Sequence, residues 1–233
     1  MIAQGLATVR QRIVRACAAA GRDPREVTLV AVSKTRPAAA VTAVRDLGQI
    51  DFGENRVQEL VDKAGQVASV RWHMIGSLQT NKVRQLLRVP GLVLVHSLDR
   101  PALADELQKV ADKLGQEVHC LIEVNAGDDP GKHSCPVADV PALARHVEAH
   151  CPRVFVLGLM AMGPLVEQDF LPRARAAFAR TRALRDQLRT LGLLRARFDI
   201  LSMGMTEDLE VAIAEGATMV RVGTAIFGER PSD

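Results

Sequence analysis

The stretch Val27-Thr28-Leu29-Val30-Ala31-Val32 is apolar and rich in β-branched residues, and the polar residues Ser33-Lys34-Thr35 follow it directly. A short run of this kind between turn residues predicts a buried strand. Seven further runs follow along the chain, separated by longer segments with helical spacing of apolar residues. The eight predicted strands span residues 27–32, 49–52, 69–75, 92–96, 118–124, 154–159, 198–201 and 218–222.

This alternation of strands and helices predicts an α/β fold with a parallel sheet. Eight strand–helix units favour a closed (β/α)8, TIM-like barrel, a fold that fits a chain of 233 residues as a single domain, 1–233. Residues 1–20 precede the first strand and carry arginines at helical spacing, which predicts an extra N-terminal helix packed on the barrel.

Composition excludes several classes of protein. No apolar stretch approaches the roughly 18 residues of a membrane span, and the N-terminus lacks the apolar core of a secretory signal. The 30 basic and 27 acidic residues are mixed along the chain, which argues against nucleic acid as a partner. The four cysteines form no CxxC pair and no zinc spacing. We therefore expect a cytoplasmic monomer with reduced thiols and no metal site.

The loops that follow strands seven and eight carry small and hydroxyl residues, namely Ser202, Gly204, Gly223 and Thr224. Barrel enzymes build their sites from the loops after the strands, and they often bind a phosphate after the last two. Glycines let the backbone approach an anion, and the segments from 206 to 214 and from 224 to 227 are predicted to supply helix N-termini. The same residues are equally typical of structural turns and caps.

Lys34 follows the first apolar run directly, so we expect its amine at the barrel mouth, partly out of water. Desolvation lowers the pKa of a lysine, and the neutral amine attacks aldehydes. The alternative interpretation is a solvated turn residue ahead of Pro37, the expected first residue of a helix.

Arg221 lies in the last predicted strand with the same alternation as Gly223, which predicts that it points into the barrel mouth. A buried guanidinium needs an acceptor. Two acceptors are possible: the pyridine nitrogen of pyridoxal 5′-phosphate (PLP), or an internal carboxylate, either Glu54 or Glu123.

Several motifs in order resemble one known family. They are Val32-Ser33-Lys34-Thr35, Phe52-Gly53-Glu54-Asn55-Arg56-Val57-Gln58-Glu59, the block from Trp72 to Lys82, Ser202-Met203-Gly204-Met205, and Val220 to Gly228. Together they are similar to the PLP homeostasis proteins of the YggS/PROSC type. The resemblance implies a barrel similar to the N-terminal domain of alanine racemase, which binds PLP and regulates vitamin B6 and amino-acid pools without known turnover.

The resemblance also implies roles for single residues. Lys34 becomes the Schiff-base lysine and Arg221 the partner of the pyridine nitrogen. Ser202, Gly223 and Thr224 become phosphate ligands, Met203 and Gly204 shape that loop, and Asn55 lies by the cofactor ring. The block of His73, Gly76, Gln79, Asn81 and Lys82 is a signature without a derived role. Where relatives commonly have Lys-x-Gly, this chain has Lys132-His133-Ser134, which puts a mobile-loop role for Lys132 in doubt.

Three other functions compete with a PLP carrier that donates to apo-enzymes. Racemisation by the alanine racemase route needs a second base, a tyrosine from an added domain, and the chain has no tyrosine. A barrel isomerase or aldolase for a sugar phosphate would use the same phosphate loops. A pure interaction protein would use the polar rim only for caps and turns, and no exposed heptad or charge run supports it.

Overall fold

The computed structural model describes residues 2–127, 129, 131, 134–164 and 169–229. In this part of the chain, nine strands occur, all paired in parallel. They are β1 (Thr28–Val32), β2 (Asp51–Glu54), β3 (Arg71–Met74), β4 (Leu92–Leu98), β5 (Val118–Asn125), β6 (Cys135–Pro136), β7 (Val154–Met160), β8 (Ile200–Ser202) and β9 (Met219–Val222).

The strands close into a barrel. Their order is β4-β3-β2-β1-β9-β8-β7-β5, and an additional pairing of β4 with β5 joins the two ends. The ninth, two-residue strand β6 pairs only with the end of β5. The predicted eight-stranded, TIM-like barrel is therefore confirmed.

Nine α-helices surround the barrel in the described residues. They are α1 (Ile2–Ala19), α2 (Ala38–Arg45), α3 (Val57–Ala64), α4 (Val83–Leu86), α5 (Pro101–Leu114), α6 (Val140–His150), α7 (Phe170–Thr190), α8 (Leu209–Ala214) and α9 (Thr224–Phe227). The helix α1 confirms the predicted N-terminal helix, and no helix here is long and apolar enough to cross a membrane.

Several predicted boundaries were wrong by one to three residues, and two of them bear on the site. Strand β2 runs two residues beyond the predicted end, because the turn-like pair Gly53-Glu54 is buried in the sheet. Gly53 lies close to Val30, since a Cβ added to the glycine would be only 3.0 Å from Val30 Cγ1. Helix α8 begins at Leu209 rather than at residue 206, because the preceding residues form a turn held by Asp208, whose Oδ1 accepts from the Met205 N–H at 2.5 Å.

The core has two parts. A large apolar layer lies between the strands and the surrounding helices. A smaller cluster fills the barrel interior, where Val30, Leu94, Leu121, Met160 and Met219 meet. Polar residues are also buried inside the barrel, among them His73, His96, Ser202 and Arg221, which is unusual for a packed barrel core.

Candidate functional site

A cavity of about 410 Å³ opens at the carboxyl ends of the strands. This volume suits a small-molecule cofactor. Its wall comes from the ends of β1, β2, β3, β5, β7 and β9 and from the turn before α8. The lining residues are Val32, Lys34, Asn55, Ile75, Gly76, Ser77, Glu123, Met160, Met162, Pro164, Phe170, Met205, Thr206, Glu207, Asp208, Arg221, Gly223 and Thr224.

Lys34 lines this cavity from a turn that its neighbours fix on both sides. The Ser33 hydroxyl donates to Glu54 Oε1 at 2.6 Å, and Lys63 Nζ donates to the Ser33 carbonyl at 2.8 Å. The Thr35 N–H donates to Glu59 Oε2 at 2.8 Å, and Thr35 has a φ of 63°. A non-glycine residue in this region persists only where its surroundings enforce it. The backbone turn that carries the Lys34 side chain is therefore held rigidly by its neighbours.

Glu54 is fully buried and forms an ion pair with Lys63 at 2.6 Å. Burial raises the pKa of Glu54, while Lys63 and the Ser33 hydroxyl act against that shift. Because Glu54 pairs with Lys63, the alternative in which it pairs with Arg221 is wrong.

Arg221 points into the barrel and lines the cavity, although only 4% of the residue is exposed. Its Nη1 donates to the Ser202 carbonyl at 2.6 Å and to the Ser202 hydroxyl at 2.8 Å, and its Nη2 donates to the Ala161 carbonyl at 3.1 Å. Burial lowers the pKa of Arg221 to about 10, with Asp208 and Glu123 acting in the other direction. The group stays a cation at neutral pH, and the three hydrogen bonds named above go to neutral oxygens.

Ser202 lies beneath the cavity wall and is fully buried. Besides Arg221, its hydroxyl contacts His96 Nδ1 at 3.0 Å. The sequence predicted that this hydroxyl faces a phosphate. In the structure, both partners of Ser202 Oγ are buried side chains inside the barrel, Arg221 and His96. Met203 is also fully buried, and it lies in the apolar core.

The turn before α8 and the start of α9 form the small, hydroxyl-rich end of the cavity. Gly204 has a φ of +93°, and a Cβ there would meet the Ala212 methyl at 2.5 Å, so this position requires glycine. Thr206, Gly223 and Thr224 line the cavity at this end. The first turn of α9 has backbone N–H groups without partners inside the helix, which suits an anion.

Asn55 lines the cavity next to Gly76, a residue of the signature block without a derived role. A Cβ on Gly76 would lie 2.2 Å from the Asn55 carbonyl oxygen. Gly76 thus lets the loop after β3 approach the loop after β2. Within the same block, His73 is buried inside the barrel. Lys132 and His133 belong to the motif in which this chain differs from its relatives, and they lie outside the described residues.

Sequence reasoning missed several lining residues. Thr206 follows Gly204 by two positions, and its hydroxyl type was a signal that could have found it. The apolar lining residues Ile75, Met160, Met162 and Phe170 carried no such signal, because core positions have the same composition.

Outside the cavity, Asp105, His146 and Cys151 bring three potential metal-ligand atoms within 4.8 Å of one another. His146 Nε2 already contacts Asp105 Oδ1 at 2.6 Å. Burial raises the pKa of Cys151 to about 11, so the thiol is protonated at neutral pH. The group is explained by these internal contacts.

Comparisons with known proteins agree with this geometry. Residues 6–231 match the family "Alanine racemase, N-terminal domain". The chain is 44% identical over 232 residues to the "Pyridoxal phosphate homeostasis protein" of Pseudomonas aeruginosa, covering 98% of this chain and 96% of the relative. The chain belongs to the pyridoxal phosphate homeostasis protein family.

Solved structures place the fold in the same group. PipY of Synechococcus elongatus, solved with PLP bound, is similar to this chain with a TM-score of 0.83 and 35% identity, covering 98% of this chain and all of PipY. An alanine racemase of Clostridium difficile superposes with a TM-score of 0.67 at 12% identity, and this chain spans 56% of it. At that identity the racemase supports the fold alone.

Proposed function

We propose that this protein binds PLP in the cavity and serves PLP homeostasis. The observation that carries the proposal is that one cavity is lined by Lys34, Arg221 and the pair Gly223-Thr224. These groups match an aldehyde, a ring nitrogen and a phosphate, the three polar features of PLP. The name of the Pseudomonas aeruginosa relative and the PLP-bound PipY structure support the same ligand.

Each group has a role that follows from its chemistry. Lys34 holds the cofactor covalently through its amine, on a turn that Glu54, Glu59 and Lys63 keep in place. Arg221 faces the ring nitrogen and, as a permanent cation, leaves that nitrogen unprotonated. The sulfur and aromatic side chains of Met160, Met162 and Phe170 line the same cavity and suit the faces of a flat ring.

We also propose that the protein is a carrier or regulator and not an efficient racemase. Bound PLP acts in enzymes as an electron sink, and an unprotonated ring nitrogen weakens that property. Racemisation needs an acid and a base on opposite faces of the substrate carbon, and the chain contains no tyrosine to serve beside Lys34. We expect a cytoplasmic monomer that passes PLP to apo-enzymes.

The decisive experiment is borohydride reduction of the protein after incubation with PLP, followed by peptide mapping. We expect the pyridoxyl label on Lys34 and loss of visible absorbance in Lys34→Ala. Lys109→Ala is the matched control, since Lys109 lies on the exposed side of α5 in an ion pair with Glu106 at 2.7 Å. A label found mainly on Lys82 or another lysine would contradict the assignment.

Turnover is tested separately with the PLP-loaded protein and L-alanine. Both enantiomers are followed by chiral chromatography, and α-hydrogen exchange is followed in deuterated water. We expect slow exchange at most. Racemisation at ordinary enzyme rates, roughly 1 to 1,000 per second, that disappears in Lys34→Ala would make the protein an enzyme.

A further inference from the structure

A continuous line of hydrogen bonds crosses the barrel interior from the cavity to the opposite end of the barrel. We name it the interior chain. Its links are Arg221 Nη1 to Ser202 Oγ at 2.8 Å, Ser202 Oγ to His96 Nδ1 at 3.0 Å, His96 Nε2 to His73 Nδ1 at 3.0 Å, and His73 Nε2 to Asp51 Oδ1 at 3.0 Å. Arg71 closes the far end on both oxygens of Asp51 at 2.8 and 2.6 Å.

The interior chain is shielded from water. Arg221, Ser202, His96, His73 and Asp51 are each at most 5% exposed, while the Arg71 side chain is about half exposed, at 52%. In such surroundings, a polar group left without a partner is costly. Each link therefore constrains the next one.

The direction of the hydrogen bonds follows from the guanidinium at one end and from the need of the buried Ser202 hydroxyl hydrogen for an acceptor. A guanidinium can only donate, and a carboxylate can only accept. Since Ser202 Oγ accepts from Arg221, its own hydrogen is free to go to His96 Nδ1. His96 then donates from Nε2 to His73 Nδ1, and His73 donates from Nε2 to Asp51. In this direction, the ring hydrogen that each histidine donates along the interior chain is on Nε2.

The neutral state of His96 follows from its position. Burial lowers the pKa of His96 well below its usual range, and the charge of Arg221 acts in the same direction. A protonated His96 would carry a hydrogen on both ring nitrogens. Its Nδ1 could then not accept from Ser202, and the interior chain offers the Ser202 hydroxyl hydrogen no other acceptor.

We propose that Ser202, His96 and His73 are positioning residues for Arg221. They belong to one line of hydrogen bonds, which Asp51 and Arg71 close at its far end. The Ser202 hydroxyl holds the guanidinium in this arrangement and is not a phosphate ligand. Three guanidinium hydrogen bonds to the protein orient Arg221, which lines the cavity. The assignment of a pyridine nitrogen as the ligand group beside Arg221 rests on the proposed function.

The first test needs no ligand. Long-range ¹H–¹⁵N correlation spectra of histidine-labelled apo-protein at neutral pH report the protonated nitrogen of each ring. We expect the Nε2–H tautomer for both His73 and His96. A protonated Nδ1 on His96, in either the other tautomer or the imidazolium, would overturn the proposal.

The second test asks whether Arg221 is positioned for a ring nitrogen. Binding of PLP is compared with binding of 1-deaza-PLP, which has a C–H in place of that nitrogen. We expect the wild-type protein to prefer PLP, and His96→Leu to lose about 10-fold in PLP affinity with little change for 1-deaza-PLP. His96→Asn, whose carbonyl still accepts from Ser202, should retain most of the preference. His119→Leu removes an exposed histidine of β5 and is the matched control.

Each outcome has a distinct meaning. Equal loss of both ligands in His96→Leu, or no loss of either, overturns the positioning role. Equal binding of both ligands by the wild-type protein also overturns it. If the wild-type protein binds neither, the proposed function fails, while the tautomer spectra still decide the interior chain. If His96→Leu does not fold, Ser202→Ala replaces it and should show the same selective loss of PLP affinity.

Discussion

Thr206 and Thr224 are the hydroxyl residues that line the small, glycine-containing end of the cavity. Thr224 is exposed and begins α9, and Thr206 is half-buried in the turn held by Asp208. Burial raises the pKa of Asp208, against the effect of the Met205 N–H and of Arg221. The two threonines therefore place hydroxyl donors at this end of the cavity, beside the backbone N–H groups at the start of α9.

We predict that Thr206→Ala combined with Thr224→Ala weakens PLP binding on the order of 100-fold, because hydrogen bonds to a charged group contribute about 1.5 to 3 kcal/mol each. Binding of pyridoxal, which has no phosphate, should change little. Titration followed by visible absorbance measures both ligands. Thr190→Ala, at the far end of α7, is the control. Equal affinity of the wild-type protein for pyridoxal and PLP would contradict a phosphate site here.

At the level of elements, α1 lies behind the small, hydroxyl-rich end of the cavity. It packs against α8 and α9, and Arg12 donates to the Thr206 carbonyl at 2.7 Å while pairing with Glu210. The close approach to α9 depends on Gly5, where a Cβ would lie 2.5 Å from the Ala225 carbonyl oxygen. The added N-terminal helix is therefore part of the wall behind the binding site.

We predict that Gly5→Ala destabilises the protein, although alanine favours an isolated helix by about 1 kcal/mol over glycine. The methyl group would push α1 away from α9, and PLP affinity should fall with it. Gly65→Ala is the matched control, since that glycine ends α3 at a φ of −70° and its nearest atom is 3.6 Å from an added Cβ. Urea unfolding compares the two. Equal stability changes in both variants would show that α1 does not need the close contact.

At the scale of the whole molecule, the barrel interior is divided between an apolar cluster and the interior chain, which joins its two ends. Asp51 and Arg71 stand at the first residues of β2 and β3, and Arg221 stands near the end of β9. Burial alone would raise the pKa of Asp51, but the hydrogen bonds from His73 and Arg71 outweigh it and leave the pKa below its usual value. The ionised carboxylate thus stabilises the folded barrel.

The pH dependence of stability follows from the sign of this shift. A carboxyl group with a lowered folded-state pKa contributes stability above its unfolded pKa and loses it as the pH falls through the folded value. We predict that Asp51→Asn is less stable than the wild-type protein at pH 7, and that the difference shrinks below about pH 4.

Urea unfolding at several pH values measures this prediction. The control is Asp46→Asn, an exposed position after α2, where a change within about 0.5 kcal/mol is expected at pH 7. A difference between Asp51→Asn and the wild-type protein that stays constant from pH 7 to pH 3 would contradict the role of the Asp51 charge.

The sequence by itself determined the barrel and the rim where the site lies. The eight strands could be predicted because their apolar, β-branched character is local, and parallel strands bring their following loops to one rim. Lys34, Asn55, Arg221, Gly223 and Thr224 line the cavity for that reason.

Only the tertiary structure decided which atoms those residues contact. Ser202 and His96 are 106 residues apart, and the Ser202 hydroxyl faces the barrel interior because strand register brings His96 within 3.0 Å of it. Glu54 and Gly53 have the character of turn residues, yet they extend β2 because Lys63 pairs with the carboxylate and Val30 packs on the glycine. Hydrogen bonds require their atoms to meet within a few tenths of an ångström, and distances of that size are fixed by packing across the barrel, not by local pattern.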